Sequence, residues 1–392
     1  MSIEHLISDR AASLKPSGIR RFFDIASEMD DVISLGVGEP DFKTPYAVRR
    51  AAIDTLQRGK TAYSANAGLM QLREAIASYM SRSFSLDYDP RGEIIVTVGG
   101  SEGIDLCVRA FVNPGDEVLI PEPSFVAYAP MVTLACGVPV PLETLAEDEF
   151  RLTPERLEAA ITPKTKILVL PFPNNPTGAV MRREHLEAIA EVIRRHDLVV
   201  LSDEIYAELT YNGRHVSIAQ IDGMKERTIV VNGFSKSFAM TGWRLGFLTG
   251  PREALKQMLK IHQYALMCAP TTAQYAAVEA LDHCEENIAQ MRDEYNLRRR
   301  FIVDSFNKLG LPTFEPEGAF YIFPCIKGTG MGSEEFCEKL LYSKRVAVVP
   351  GNAFGQSGEG FVRVSYSYSV NHLTEAVRRI GEFLAELREG KA

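Results

Sequence analysis

The 392-residue sequence has no apolar run approaching the ~20 residues that a membrane-spanning helix needs. Its opening stretch, MSIEHLISDRAASLKPSG, carries acids early and no apolar core, so a secretory leader is not expected. The six cysteines (Cys107, Cys136, Cys268, Cys284, Cys325 and Cys337) are scattered, with no C-x-x-C pair. That excludes the common zinc and dithiol spacings and leads us to expect a reduced, cytoplasmic compartment. The seven histidines include no H-x-x-x-H. The one adjacent soft pair, His283-Cys284, falls in a predicted helix, where a surface histidine and a buried cysteine explain it, so no metal is expected. No G-x-G-x-x-G follows a strand, which removes the dinucleotide fingerprint. The only Gly-Lys-Thr, at Gly59 to Thr61, has Asp54 where a phosphate loop needs its first glycine. Internal repeats and low-complexity segments are also missing. A net charge of -8 argues against nucleic acid or an anionic membrane as the main partner, while leaving room for a local basic pocket.

What is present is a large-core composition, 46% hydrophobic and 24% charged, ample for more than one domain. Short apolar runs alternate with amphipathic ones through the middle of the chain. EIIVTVGG, DEVLIPEP, KILVLPFP, DLVVLSDE and RTIVVNGF read as strands. SEGIDLCVRAFV, FVAYAPMVTLACG and REHLEAIAEVIRRH read as helices between them. Continuous Val/Ile/Leu strands are buried on both faces, as in parallel sheets covered by helices. We therefore expect an α/β fold, with a mostly parallel sheet sandwiched by helices in a large domain over residues 48–290. One long helix, CEENIAQMRDEYNLRRRFIVDSFNKLG, should leave it. Residues 1–47 and 291–392 should form a smaller α+β domain made from both chain ends, with strands near GAFYIFPC, RVAVVPG and GFVRVSYS.

Ligands of open parallel sheets sit beyond the carboxyl ends of the strands. Those ends present Gly99, Gly100, Ser101 and Glu102; Asn174 and Asn175; Asp203, Glu204 and Tyr206; and Ser235 and Lys236. A glycine turn entering a helix offers free N–H groups and a helix dipole to a phosphate, or is a plain strand–helix turn. Asp203 closes an apolar strand and is either a helix cap or a carboxylate that holds a proton on a ring nitrogen. Lys236 either reaches water along an apolar stem or is a desolvated amine able to form a Schiff base. Imine lysine, aspartate and phosphate turn together are the parts that pyridoxal phosphate requires.

Over nearly its whole length the chain resembles a class I aminotransferase, a fold-type I pyridoxal-phosphate enzyme of the aspartate/aromatic kind. The resemblance is carried by YSANAGLMQLREAI, PNNPTGAV, LSDEIY, NGFSKSFAMTGWRLGF, GAFYIFP and AVVPGNAFG. It implies pyridoxal 5′-phosphate as cofactor. Lys236 would be the Schiff-base lysine that shuttles the proton between Cα and the cofactor's C4′ carbon. Asp203 would pair with the ring nitrogen, and Asn175 and Tyr206 with the ring's 3′ oxygen. Arg244, Ser235 and the backbone N–H groups of the turn through Gly100, Ser101 and Glu102 would hold the phosphate, and Phe125 would stack on the ring. Tyr63 would reach the phosphate of a neighbouring subunit, implying a homodimer with shared sites. Arg363 would bind the substrate α-carboxylate, with Asn175 beside it and Gly38 letting the backbone approach closely.

There are departures from the family pattern. Gly233 stands where many relatives carry a phosphate-binding serine. No second basic residue for a distal carboxylate is evident, although Arg20 or Arg21 could serve. The expected reaction moves the amino group of an aromatic amino acid, aspartate or a neutral amino acid to a 2-oxo acid such as 2-oxoglutarate, in a ping-pong cycle through pyridoxamine phosphate. The alternatives are a biosynthetic transaminase of the N-acyl-diaminopimelate type and a carbon–sulfur β-lyase. A regulator that kept the fold would need a DNA-binding extension for which the first ~47 residues show no helix-turn-helix.

Overall fold

A computed structural model describes residues 3–16, 18 and 28–390. Twelve strands follow one another among these residues: β1 (Ile33–Ser34), β2 (Ile94–Thr97), β3 (Glu117–Glu122), β4 (Val138–Glu143), β5 (Thr165–Leu170), β6 (Val199–Asp203), β7 (Thr228–Gly233), β8 (Gly246–Thr249), β9 (Tyr321–Ile322), β10 (Val346–Ala347), β11 (Val349–Pro350) and β12 (Val362–Ser365).

Seven of them make one sheet in the order β2-β8-β7-β6-β5-β3-β4. All its neighbours are parallel except β8, which runs antiparallel to both β2 and β7. The five strands read from the sequence are β2, β3, β5, β6 and β7. The reading passed over β4, whose VPVPLE carries two prolines and is largely exposed on an edge. It also passed over β8, whose four residues follow directly on a polar turn.

The sheet is covered on both faces, which is why its central strands are continuously apolar. Ile167, Val169, Leu201 and Val231 point to one side, into a core shared with Ile104, Cys107 and Val108 of the helix Gly100–Phe111 and with Leu255 and Met258 of the helix Arg252–Ala265. Leu168, Leu170 and Val200 point to the other, against Leu186, Ile189 and Ile193 of the helix Arg183–Arg195. Those helical positions fall at i, i+3 and i+7, one stripe of the cylinder. Each fully buried aliphatic there contributes roughly 1.5–3 kcal/mol.

This alternation also decides the fate of the polar residues at the end of β6. Asp203 shares parity with Leu201 and faces the helix Gly100–Phe111. Ser202 and Glu204 face the other way, where Ser202 Oγ donates to the Glu204 carboxylate at 2.8 Å.

A second layer of structure gathers residues from both sides of the sheet segment. β11, β12 and β9 form a three-stranded antiparallel sheet with β12 in the centre, and β1 pairs in parallel with β10. Its core joins Ile33 and Leu35 to Met291, Tyr295, Ile302 and Phe306 of the 24-residue helix Glu285–Lys308, and to Leu373, Ile380 and Phe383 of the helix Val370–Arg388. Tyr206 and Leu209, just after β6, belong to the same cluster. The end of β6 and the centre of β12 are thereby brought to one place.

Among the described residues no helix is long and apolar enough to cross a membrane, and no three His, Cys, Asp or Glu side chains cluster as metal ligands. His283 closes the helix Thr271–His283, and the buried Cys284 stands between it and the next helix. The pair therefore marks a helix junction rather than a helix interior.

Candidate active site

β2, β7, β6 and β5 run the same way, so their carboxyl ends open on one edge of the sheet. A cavity of about 520 Å³ lies there. It is lined by Gly38, Gly100, Ser101, Phe125, Asn175, Asp203, Tyr206, Ser235, Lys236, Arg244 and Arg363, and also by Tyr128 and Tyr321. Of the described residues to which the resemblance gives a role in holding cofactor or substrate, two are not in that lining. Tyr63 is 82% exposed. Glu102 turns its carboxylate away, toward His262 and the Val98 N–H, and so offers the cavity only the start of its helix.

Lys236 follows β7 and is partly buried. Its Nζ donates to the Gly38 carbonyl at 2.5 Å and lies 5.8 Å from the ring centres of both Tyr206 and Phe320. Burial is the main reason its ammonium is pulled down to about 8, and the cationic Arg363 adds to the effect. An amine held at that value is available as a nucleophile and as a proton carrier near neutral pH.

Asp203 is buried at the end of β6. Its carboxylate accepts the Tyr128 hydroxyl at 2.7 Å and the Ile205 N–H at 3.2 Å. Burial makes it a weaker acid than an ordinary aspartate, and these two donors act in the opposite direction. A protonated ring nitrogen placed there would offset the burial of the carboxylate, which would in turn keep the proton on the nitrogen. No helix follows Asp203, so it is not a helix cap: its carboxylate caps a turn through the Ile205 N–H and also lines the cavity. Tyr128, which sequence reasoning missed, fixes its rotamer; a phenol in a predicted helix carried no signal of its own.

The glycine turn is shaped by two requirements. Gly99 sits at φ +78, where a side chain is strained, and a Cβ there would lie 2.9 Å from Arg244 Nη2. The Arg244 guanidinium thus lies against the turn, anchored by Nη1 donating to the Thr241 carbonyl at 2.9 Å. Gly99 is the N-cap of the helix Gly100–Phe111 and supplies no capping side chain. The first N–H groups of that helix, which have no partner within it, point out beside an arginine. At Gly233, a Cβ would lie 2.9 Å from the Gly246 Cα and 3.1 Å from the Leu245 carbonyl. The close approach of β8 to β7 therefore leaves no room for a serine side chain.

Arg363 stands on the central strand of the small sheet and is 3% exposed, so it is not a surface charge on an edge strand. Its guanidinium lies between the rings of Tyr321 at 4.6 Å and Phe354 at 4.8 Å. Nη1 donates to Asn175 Oδ1 at 2.9 Å, Nη2 to the Gly36 carbonyl, and Nε is buried without a partner. A buried donor without an acceptor is costly, and a substrate carboxylate would satisfy it. Tyr321 was also missed, although GAFYIFP was noted. Its hydroxyl bonds Tyr206 Oη at 2.8 Å and occupies the space where a Cβ on Gly38 would be. Gly38 is thus required by the tyrosine opposite. Arg20 and Arg21 lie outside the described residues.

Amine, buried carboxylate, glycine turn and buried arginine converge on one cavity. Residues 30–380 match the family model described as aminotransferase class I and II. The chain belongs to that family. It is 49% identical to an aspartate aminotransferase of Pyrococcus abyssi, over 97% of this chain and 98% of the relative. It is 47% identical to aromatic-amino-acid aminotransferase 2 of Thermococcus litoralis, again over 97% and 98%. Among solved structures, the aspartate aminotransferase of Thermus thermophilus with maleate superposes with a TM-score of 0.92, at 40% identity and covering 96% of this chain and 99% of that one.

The chain is therefore an aminotransferase, and pyridoxal 5′-phosphate is its cofactor. The residues present fit that group: the turn at Gly99 beside Arg244 suits its phosphate, Asp203 its ring nitrogen and Lys236 its aldehyde. The aspartate and aromatic aminotransferases are favoured over the alternative of a β-lyase or an N-acyl-diaminopimelate enzyme.

Proposed function

We propose that the chain transfers the amino group of an aromatic amino acid, aspartate or a neutral L-amino acid to a 2-oxo acid such as 2-oxoglutarate. We further propose that it does so as a cytoplasmic homodimer serving amino-acid biosynthesis. The observation that carries this reading is the single cavity in which Lys236, Asp203, Arg244 and Arg363 meet. The names of the relatives support aromatic and acidic donors.

When bound, pyridoxal phosphate supplies an aldehyde for the substrate amine and an electron-withdrawing ring that acidifies the Cα–H bond. Arg363 takes the α-carboxylate through its free Nε edge and so orients the Cα–H bond. Lys236, its ammonium pulled down to about 8, would remove the proton from Cα and return it on the cofactor side. Asp203 keeps the ring nitrogen protonated. Tyr206 and Asn175 would hydrogen-bond the ring oxygen, Phe125 would stack on the ring, and Arg244, Ser235 and the helix start from Gly100 through Ser101 to Glu102 would hold the phosphate. Tyr63, exposed on its own subunit, reaches the phosphate in the neighbouring one. Residues 48–290 form the cofactor-binding unit, and residues 1–47 with 291–392 the smaller one that carries Arg363.

The test is a panel of L-amino acids added singly to the loaded enzyme, with cofactor absorbance followed through the half-reaction. Conversion of the aldehyde form to the amine form by at least one aromatic or acidic donor is expected. Conversion by none would refute the reading.

A further inference from the structure

The helix Gly100–Phe111 starts without a side-chain cap, because its N-cap is Gly99. A Ser, Thr, Asp or Asn there would accept one of the first N–H groups and compete with an incoming anion. Something else must hold the turn in shape. Glu102, in the first turn of the helix, reaches back, and its Oε2 accepts the Val98 N–H at 2.5 Å. Its other oxygen, Oε1, meets His262 Nδ1 at 2.5 Å. His262 comes from a different element, the helix Arg252–Ala265, and its side chain is completely buried; the Glu102 side chain is 9% exposed.

The carboxylate thus grips both ends of the Val98–Glu102 turn and is tied to the helix behind it. An acid so close to an anion-binding turn would repel a phosphate if left alone. The bond to His262 Nδ1 instead holds that carboxylate toward the protein interior, behind the turn. His262 Nε2 has no partner, so the imidazole's only hydrogen bond among the described residues is the one to Glu102.

We infer that Glu102 and His262 form a positioning pair that locks the phosphate-receiving turn from the inside, so that the cofactor's phosphate meets a preformed set of N–H groups beside Arg244. This rests on the placement of the phosphate at Gly99 and Arg244. Neither residue touches the phosphate by its side chain; both act through the shape of the turn.

The test titrates the full-length chain, stripped of cofactor, separately with pyridoxal 5′-phosphate and with pyridoxal, which lacks the phosphate. Binding is read by absorbance. The discriminating quantity is the ratio of the two affinities. Glu102→Ala should weaken pyridoxal-phosphate binding at least about tenfold and leave pyridoxal within about twofold. Glu102→Gln retains an acceptor for the Val98 N–H and should recover most of the loss. His262→Leu should behave like Glu102→Ala. His262→Asn, whose amide nitrogen can stand in for Nδ1, should recover most of it, and this pair decides the matter if Glu102→Ala does not fold.

An unchanged ratio in Glu102→Ala and His262→Leu overturns the inference, as does an equal loss for both ligands without rescue. Arg244→Ala separates the two levels of the claim. If it leaves the ratio unchanged, the phosphate is not at this turn and both fail. If it lowers the ratio while the Glu102 and His262 variants do not, only the positioning pair fails.

Discussion

The lowered basicity of Lys236 should cost the cofactor-free protein stability, and Lys236→Met tests this directly. Unfolded, the amine has an ordinary value near ~10.4. Folded, it is pulled down to about 8, chiefly by burial and next by Arg363. The fold therefore prefers the neutral amine, and the unfolded chain binds the extra proton. Stability carried by this group is intact above the unfolded value and is lost as pH falls through the range toward the folded one. Linkage puts the loss at about 3 kcal/mol at pH 7 and about 1 kcal/mol at pH 10.

Methionine keeps much of the stem and has no proton to lose. It also gives up the hydrogen bond to the Gly38 carbonyl, worth about 1 kcal/mol at either pH. The quantity to follow is therefore the variant-minus-wild-type difference, which should shrink by about 2 kcal/mol between pH 7 and pH 10. Urea unfolding of both cofactor-free proteins at one protein concentration gives that difference, and the groups they share cancel. A difference independent of pH, or a variant less stable than wild type at pH 7 by more than the lost hydrogen bond, would refute the account of Lys236 as a desolvated amine.

Two further outcomes follow from the cavity and its surroundings. Arg363→Met removes a buried guanidinium that would pair with the substrate carboxylate, so kcat/KM for amino donors should fall by about 10²–10³, while absorbance titration should show cofactor affinity nearly unchanged. Gly233→Ser, although it adds a hydroxyl near the cavity, should destabilise by about 1–3 kcal/mol in thermal unfolding and gain nothing in cofactor affinity, because its Cβ would press on Gly246 and Leu245.

The strands that build the site were legible because each is an apolar run ending in polar residues, and burial on both faces writes itself into composition. Asp203 and Lys236 stood out as charges at the ends of such runs. β4 and β8 did not stand out, since prolines on an exposed edge and four residues after a polar turn carry no comparable pattern. Tyr128 and Tyr321 were hidden for another reason. Each works through a contact distant in sequence, 75 residues to Asp203 and 115 to Tyr206, and an aromatic in an apolar run looks like any other core residue.

Local chemistry along the chain was enough to determine five of the seven strands of the large sheet, which edge of it gathers polar groups and which cofactor those groups suit. These follow from periodicity and side-chain type, which are properties of neighbouring residues. The tertiary structure alone decided that Arg363 is buried at the centre of a strand with one nitrogen unsatisfied, that Gly233 has no room for a serine, and that Glu102 turns inward to His262 instead of facing the cavity. Those are matters of burial and distance between segments far apart in the chain. Desolvation and steric fit act on whatever the fold brings within a few ångströms, whatever the order in sequence.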